Sequence, residues 1–545
     1  VSVETADAVV IGSGPNGLVA ANMLADRGWD VIVCEEQSTP GGAVRSGEVT
    51  APGFTHDLYS SFYPLAPASK YLGALDLESH GLEWRRSQAV VAQPHPDGRC
   101  ALLSLDLDET SASMESFAAG DGEAWRRFFG LWERSGKEVM DTLLTPLPPV
   151  RPAARLVRSL GLKDLPEFAR FALLPARRMA EETFAGDGGT WMIAGNAMHA
   201  DLMPDNVGSG IFGWVLCGLG QEHGYPVARG GSGAVTDALV SRFLRAGGQL
   251  HRDTPIERIE VSGGRATGAR AADGRLFRAR KAVVADCGAP ALYLRMLPSG
   301  SISERTRTAL RRFQYDNSTI KVNWALREPI PWAAADARRA GTVHVAEGMR
   351  GLTRATVQLA EKGIPDRPLL VLGQYAPVDD SRAPAGAEAA WAYTHVPQRP
   401  TWDAAGEIEG DWTSEDLARF ADRMEGEVER LAPGFRNSII TRDVQSPLDL
   451  EANNRNLVGG AINGGTAQIY QQAVFRPLPH FGRPTTPITD LYLASSSAHP
   501  GGGMHGGPGG NAATTILRHH RFRRPRGVTH VSAVEQSLVD RPGRG

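Results

Sequence analysis

Two hydrophobic periodicities alternate along the chain, and their order predicts most of its elements. Residues 6–11 form a short apolar run, interrupted only at Asp7, as a strand buried on both faces requires. Leu18, Ala21, Leu24 and Ala25 then recur at helical spacing as far as a stop at Gly28, and a second apolar run covers 31–34. The same alternation returns in the middle of the chain, where Val235, Leu239, Phe243 and Ala246 share one face of an amphipathic helix closed by Gly247-Gly248. Short strands follow over 249–251 and 256–261, then turns at Gly263-Gly264 and Asp273-Gly274, then an apolar run over 282–285. Farther on, Ile320, Val322, Trp324 and Leu326 alternate with Lys321, Asn323 and Arg327, which predicts a strand with one apolar and one polar face. Strands are expected again over 353–359, 369–375 and 389–395, so an antiparallel sheet is expected. Thr413 to Asp416 caps a helix that gathers Leu417, Phe420, Met424, Val428 and Leu431 on one side.

The turn between the first strand and the first helix carries chemistry. It reads Gly12-Ser13-Gly14-Pro15-Asn16-Gly17. Gly12 permits the tight turn, Gly14 leaves room for backbone to approach a pyrophosphate, and Gly17 lets helix and sheet pack closely. The helix N-terminus then faces the anion. Glu35 and the adjacent Glu36 stand at the end of the second strand, Glu35 lying 18 positions beyond Gly17. A carboxylate there accepts hydrogen bonds from ribose hydroxyls and favours an unphosphorylated ribose. Two further glycine clusters follow, Gly230-Gly231-Ser232-Gly233 and the stretch 491–513. The latter opens as a strand and closes as a helix with almost no side chains between, so backbone N–H groups can approach an electron-accepting ring. Its own Gly501, Gly503 and Gly506 lack a following strand and acid, so a single dinucleotide is expected.

Composition narrows the class. With 545 residues the chain is too long for one ordinary core. Lys and Arg total 58 against 61 Asp and Glu, a net charge of −3, which provides no global field for nucleic acid. Hydrophobic residues at 42% and charged residues at 22% exclude disordered and fibrous classes. Cys34, Cys100, Cys217 and Cys287 form no C-x-x-C pair, so no metal site is expected, and they read as buried thiols of a reducing compartment. The uncharged run 206–221 is too short and too rich in glycine to span a membrane, and Val1-Ser2-Val3-Glu4 shows no basic or apolar leader pattern, so a cytoplasmic protein is expected. The segment 151–178 holds seven basic residues against two acids, with Leu156, Leu160, Phe168, Phe171, Leu173 and Leu174 among them. A helical lid there is read first as solvated and packed on the core, and second as a peripheral contact with an anionic bilayer.

Gly41-Gly42 with Arg45 resembles the G-G-x-x-R element of flavoproteins with glutathione reductase-like and amine oxidase-like folds. Taken with Pro52-Gly53-Phe54-Thr55-His56-Asp57, Gly230-Gly231 and Ala498-His499-Pro500-Gly501, the order of motifs is similar to that of the phytoene desaturase-like flavoproteins. It is nearest the branch called pyridine nucleotide-disulfide oxidoreductase domain-containing protein 2. Ser495-Ser496-Ser497 departs from the usual pattern before the last glycine loop. The resemblance implies an α/β fold. A Rossmann-like FAD-binding domain (1–80, 222–315 and 484–520) interleaves with an α+β substrate domain on a mixed or antiparallel sheet (81–221 and 316–483). The lid lies near 151–185 and a mobile tail over 521–545. FAD is expected along Gly12, Gly14, Pro15, Asn16, Gly17, Glu35, Glu36, Gly41, Gly42, Arg45, Ile256, Ser496, Gly503, Gly510, Asn511 and Ala512. An apolar, isoprenoid or lipid-like substrate would lose hydride from a C–H bond to the flavin, which oxygen or a quinone would reoxidise. His499 and His505 are the titratable groups beside the ring site, each either a proton acceptor or a turn cap, and His56 and Asp57 lie at the substrate edge. An amine oxidase-like enzyme and a non-catalytic, partner-binding relative are the alternatives. Retention of Gly12, Gly14, Gly17 and Glu35 weighs against the last.

Overall fold

The apolar runs of the N-terminal and central segments meet in one sheet. In the computed structural model, which describes residues 2–523, strand Val3–Ile11 pairs in parallel with Val31–Cys34 on one side and Leu276–Ala285 on the other. Gln249–His251 extends the sheet beyond 31–34, and Ile256–Ser262 with Arg265–Ala271 forms an antiparallel meander onto 276–285. The far end of that strand also pairs in parallel with Leu491–Leu493. Helices Pro15–Ala25, Gly233–Arg245 and Gly507–Arg523 cover one face. The meander and the chain around Leu292, Tyr293 and Leu478 cover the other. Burial on both sides is why these strands carry apolar runs over 8–11, 31–34 and 282–285.

A second seven-stranded sheet runs in the order Ile439–Gln445, Ser318–Leu326, Glu388–Val396, Leu370–Gln374, Ala340–Val345, Ala89–Pro94, Cys100–Ser104. Neighbours are antiparallel except 340–345 beside 89–94, so the sheet is mixed. Ile320, Val322, Trp324 and Leu326 lie with Leu372 and Ala392 under helix Ser414–Leu431, against Phe420, Met424, Val428 and Leu431. The polar side of the 318–326 strand is buried as well: all nine residues are closed off from solvent. Helices Asp187–Met198 and Ser209–His223 contact the sheet at 89–94 and 100–104, and Phe62 stacks on Tyr375.

Two expectations, a strand over 353–359 and a tail from 521, are corrected. Residues 353–359 are not a strand but part of helix Gly348–Ala360. Leu352, Ala355, Thr356 and Leu359 are buried there at helical spacing, a pattern masked by the β-branched residues in the window. The uncharged run 206–221 becomes helix Ser209–His223, and its glycines serve close packing: a Cβ on Gly218 would stand 2.2 Å from the Trp132 ring. Among the described residues no helix is long and apolar enough to cross a membrane. The C-terminal helix reaches Arg523, inside the segment expected as tail, and 524–545 lie outside the described residues. Helix Asp121–Leu143, whose buried face includes Trp125, Phe128, Trp132 and Met140, has no counterpart among the predicted elements. The cysteines are free thiols; Cys34, Cys100 and Cys217 are buried and Cys287 is partly so.

Candidate functional site

The glycine turn after the first strand ends in a helix whose N-cap, Gly14, offers no side-chain cap. Its neighbours come close on every side. A Cβ on Gly17 would stand 2.2 Å from the Gly12 carbonyl, so the helix rests directly on the turn. A Cβ on Gly14 would stand 2.8 Å from Asp286 Oδ2, and one on Gly42 would stand 3.1 Å from Gly14 Cα. The first turn, the 41–42 loop and the end of the 276–285 strand thus converge without side chains between the two glycines. Asp286 accepts the Gly17 N–H at 2.8 Å, and burial pushes its carboxyl well above the usual carboxylate range. The Asn16 Oδ1 atom is buried and has no hydrogen-bond partner.

Glu35 turns its carboxylate back to the turn, accepting Ser13 N–H at 2.8 Å and Ser13 Oγ–H at 2.6 Å on Oε2, and Gln37 N–H at 2.9 Å on Oε1. Glu36 pairs with Arg455 at 2.8 Å. Arg45 donates to the Gly42 carbonyl, to Tyr59 Oη and to the Asn453 carbonyl, so it ties the 41–45 loop to a segment from the other half of the chain. Ile256 opens the meander, half-buried against the core of the nucleotide sheet.

The C-terminal glycine loop is held by residues that the sequence reading passed over. Arg476 is 1% exposed and donates to the carbonyls of Ser496, Thr466, Asn463 and Gly465. Asp316, equally buried, accepts the N–H groups of Ile462, Asn463 and Gly465. A fourth glycine cluster, Gly459-Gly460 and Gly464-Gly465, is therefore pinned against Ser496, and its glycine count was the available signal. The Asn463 Nδ2 donor is buried without a partner. Gly503 lies where a Cβ would meet Leu65 at 2.6 Å. Gly510, Asn511 and Ala512 sit in the first two turns of the C-terminal helix. Gly510 packs on the Tyr71 ring, Asn511 Oδ1 accepts Tyr71 Oη–H at 2.6 Å, and Ala512 is fully buried in the core.

The histidines separate. His505 Nδ1 accepts the Gly507 N–H at 2.9 Å, so its proton is on Nε2, 3.1 Å from the Gly502 carbonyl. Both nitrogens are spent on the backbone: of the two roles open to it, His505 takes that of turn cap. His499 Nε2 lies 3.2 Å from the Thr145 carbonyl; donating there, it keeps a lone pair on Nδ1. Burial pulls both rings down to about 4, so each is neutral at physiological pH.

Asp57 is not an open substrate contact. Its Oδ1 accepts from Ser46 Oγ, Ser232 N and Arg382 Nη1, and its Oδ2 accepts from Ser61 Oγ, Tyr375 Oη and Arg382 Nη2. Burial would raise the carboxyl, but Arg382 and these donors hold it well below the usual range. The pair joins the nucleotide half to the large sheet, and every acceptor position is occupied by protein. Lys321, buried in the large sheet, donates to the Asp57 carbonyl; burial pulls its ammonium down to about 8. His56 Nε2 meets Thr50 Oγ1 at 2.8 Å, while its Nδ1 is buried without a partner.

The bare approach at Gly14 and Gly42, the orphaned Asn16 oxygen beside it and the orphaned Asn463 donor beside the C-terminal loop fit an extended dinucleotide running from one glycine loop to the other. Comparison with known proteins agrees. The family described as flavin containing amine oxidoreductase matches residues 16–507, a span that takes in all of the second sheet and all of the first except its strand 3–11. The chain is 28% identical to pyridine nucleotide-disulfide oxidoreductase domain-containing protein 2 of Mus musculus, over 94% of this chain and 93% of that protein. It is 24% identical to the lycopene-forming phytoene desaturase of Pseudescherichia vulneris, over 93% of this chain and 98% of that enzyme. The structure of an oxidoreductase from Methanosarcina mazei shares the fold with a TM-score of 0.58 at 17% identity, over 94% of this chain and 99% of the other. The chain belongs to the flavin-containing amine oxidoreductase family and is an FAD-dependent oxidoreductase.

Proposed function

We propose that the protein is a dehydrogenase or desaturase that takes hydride from a C–H bond of a largely hydrocarbon substrate held between the two sheets. The observation that carries the cofactor placement is the side-chain-free approach of Gly14 and Gly42 beside Asp286. Gly12, Gly14, Pro15, Asn16, Gly17, Gly41 and Gly42 would hold the pyrophosphate, Glu35 and Glu36 the ribose side, Ile256 the adenine, and Ser496, Gly503 and Asn463 the ring end. Arg45 closes the loop over this seat. When bound, FAD supplies a hydride acceptor at N5. The chain's part is to position the substrate, exclude water and take up a proton, for which His499 Nδ1 is the remaining acceptor among the two histidines of the loop. Relatives named as a phytoene desaturase and a limonene dehydrogenase subunit favour an isoprenoid substrate over an amine.

The test is the visible spectrum of the purified protein, followed by anaerobic addition of limonene, longer isoprenoids and primary amines. Bleaching by an isoprenoid upholds the reading. Bleaching by amines alone, with peroxide released in air, replaces it with an amine oxidase, and reoxidation rates with oxygen and a quinone then identify the acceptor.

A peripheral membrane contact is a second reading with its own observation. Helices Val150–Leu160 and Leu165–Leu173 bury only Pro152, and Val150, Leu162 and Leu173 are exposed, as are Ile469, Val474 and Phe475. Against it, Arg155 pairs with Asp141, Arg170 and Arg178 with Glu182, and Arg177 with Asp205, which removes much of the lid's positive field. Leu156, Phe168, Phe171 and Leu174 pack on the core. Co-sedimentation with anionic vesicles at low salt decides between the two.

A further inference from the structure

The buried polar face of the large sheet carries more hydrogen-bonding capacity than the protein uses. Register places Asp443, Asn323, Trp391, Gly373 and Thr342 in one row across the strands and Gln445, Lys321, Tyr393, Val371 and His344 in the next, with Thr319 beside His395. All point away from the apolar core under helix 414–431, because side chains alternate along each strand. On this one face Thr319 Oγ1, Asn323 Oδ1, Thr342 Oγ1, Gln93 Oε1, Gln445 Oε1 and both ring nitrogens of His395 are buried with no hydrogen-bond partner. Thr319, Asn323, Thr342, Gln93 and His395 are each at most 5% exposed. An unsatisfied buried polar atom destabilises a fold, so several gathered on one surface point to a partner that the protein does not itself supply.

The face is also placed for the reaction. Phe62 stacks on Tyr375 at 5.9 Å and lies 6.1 Å from Trp391, and three residues on, Leu65 touches the C-terminal glycine loop at Gly503. At the far edge a cavity is lined by Gln93, Trp191, Gly195, His344 and Leu352. Its histidines are neutral: burial holds His199, 2.6 Å from His344, down to about 4, and His344 well below its usual range. Lys321 is turned to the Asp57 carbonyl and the Trp391 ring. The unmet amides and hydroxyls are uncharged. The amide oxygens can only accept, and the threonine hydroxyls can both donate and accept.

We infer that this face binds a substrate whose hydrocarbon skeleton carries uncharged hydroxyl groups, an oxygenated isoprenoid or lipid alcohol rather than an unfunctionalised hydrocarbon. An uncharged hydroxyl donates to the amide oxygens and both donates to and accepts from the threonine hydroxyls. The inference rests on the dehydrogenase reading above and names the substrate class of that same site.

Farnesol and farnesene share a carbon skeleton and differ by a hydroxyl, and each is titrated into the oxidised holoenzyme while the flavin band is followed. Farnesol is expected to bind roughly tenfold more tightly, the equivalent of about one buried hydrogen bond, and the double variant Thr319→Val, Thr342→Val is expected to abolish that preference. The melting temperature of the variant holoprotein is expected to hold or rise, because near-isosteric removal of unpaired hydroxyls costs the fold nothing. Equal affinity for the two probes, a preference that survives in the variant, or a melting temperature that falls by several degrees would each overturn the inference. If farnesene bleaches the flavin anaerobically while farnesol does not bind, the inference fails and the dehydrogenase reading stands. If neither farnesol nor any isoprenoid bleaches the flavin and amines do, the dehydrogenase reading fails, and the melting temperature alone still decides whether the hydroxyls are structural.

Discussion

Gly14 and Asp57 show how differently single positions serve this molecule. Gly14 sits at φ −63° and ψ 170°, which any residue can adopt, so its lack of a side chain is a matter of space and not of conformation. Gly14→Ala should fold with an unchanged far-ultraviolet circular dichroism spectrum but carry flavin at less than roughly a tenth of the wild-type 450 nm to 280 nm absorbance ratio, since the methyl group would stand 2.8 Å from Asp286 Oδ2 and push that carboxyl and the turn out of place. Asp57 is the reverse case, a group whose work is internal. Asp57→Asn takes one of the two carboxylates from the Arg382 guanidinium, 1% exposed, and leaves it Asp379 at 2.8 Å. Denaturant titration should show a loss toward the lower end of the ~3–5 kcal/mol that breaking a buried ion pair costs, because Asp379 still neutralises part of the guanidinium charge. The dinucleotide turn was legible from sequence because its parts lie within a few residues of each other. The Asp57–Arg382 pair was not, because its members are 325 positions apart.

Among the elements, the C-terminal helix shows why glycine clusters are ambiguous. Gly509 meets the first helix so closely that a Cβ would stand 1.9 Å from the Asn16 carbonyl, and Gly506 packs on Val19. These glycines bring two helix N-termini together as much as they clear space for a ring. Gly509→Ala should therefore cost ~1–3 kcal/mol by overpacking and release flavin as Asn16 is displaced, read as a lower melting temperature together with free flavin in the filtrate. Lid helices 150–160 and 165–173 should tolerate Arg151→Glu and Arg158→Glu with a melting temperature within about a degree of wild type, both side chains being exposed. Helix 348–360 escaped the periodicity reading because Thr353, Thr356 and Val357 favour strands as single residues, while Leu352, Ala355 and Leu359 are buried at helical spacing.

For the molecule as a whole, buried neutral histidines set the acid limit of stability. His199, His499 and His505 are each held down to about 4 by burial, below the unfolded value of about 6.5. The unfolded chain therefore binds more protons between these values. Stability from these rings is fully present above about pH 6.5, declines as pH falls, and is gone near pH 4, by up to ~3 kcal/mol per ring. Urea midpoints of the holoprotein across that range check the slope, and a flat profile would contradict the burial of these rings.

What the sequence determined by itself was local: a strand, a glycine turn, a helix and an acid in register, which together specify a nucleotide seat because each element is fixed by neighbours a few residues away. What only the tertiary structure decided was the meaning of the alternating strand 318–326. Alternation says that two faces differ, not what covers each. Packing against segments far away in sequence, such as Lys321 on the Asp57 carbonyl, closed the polar face off from solvent, and with it a row of hydroxyls and amides.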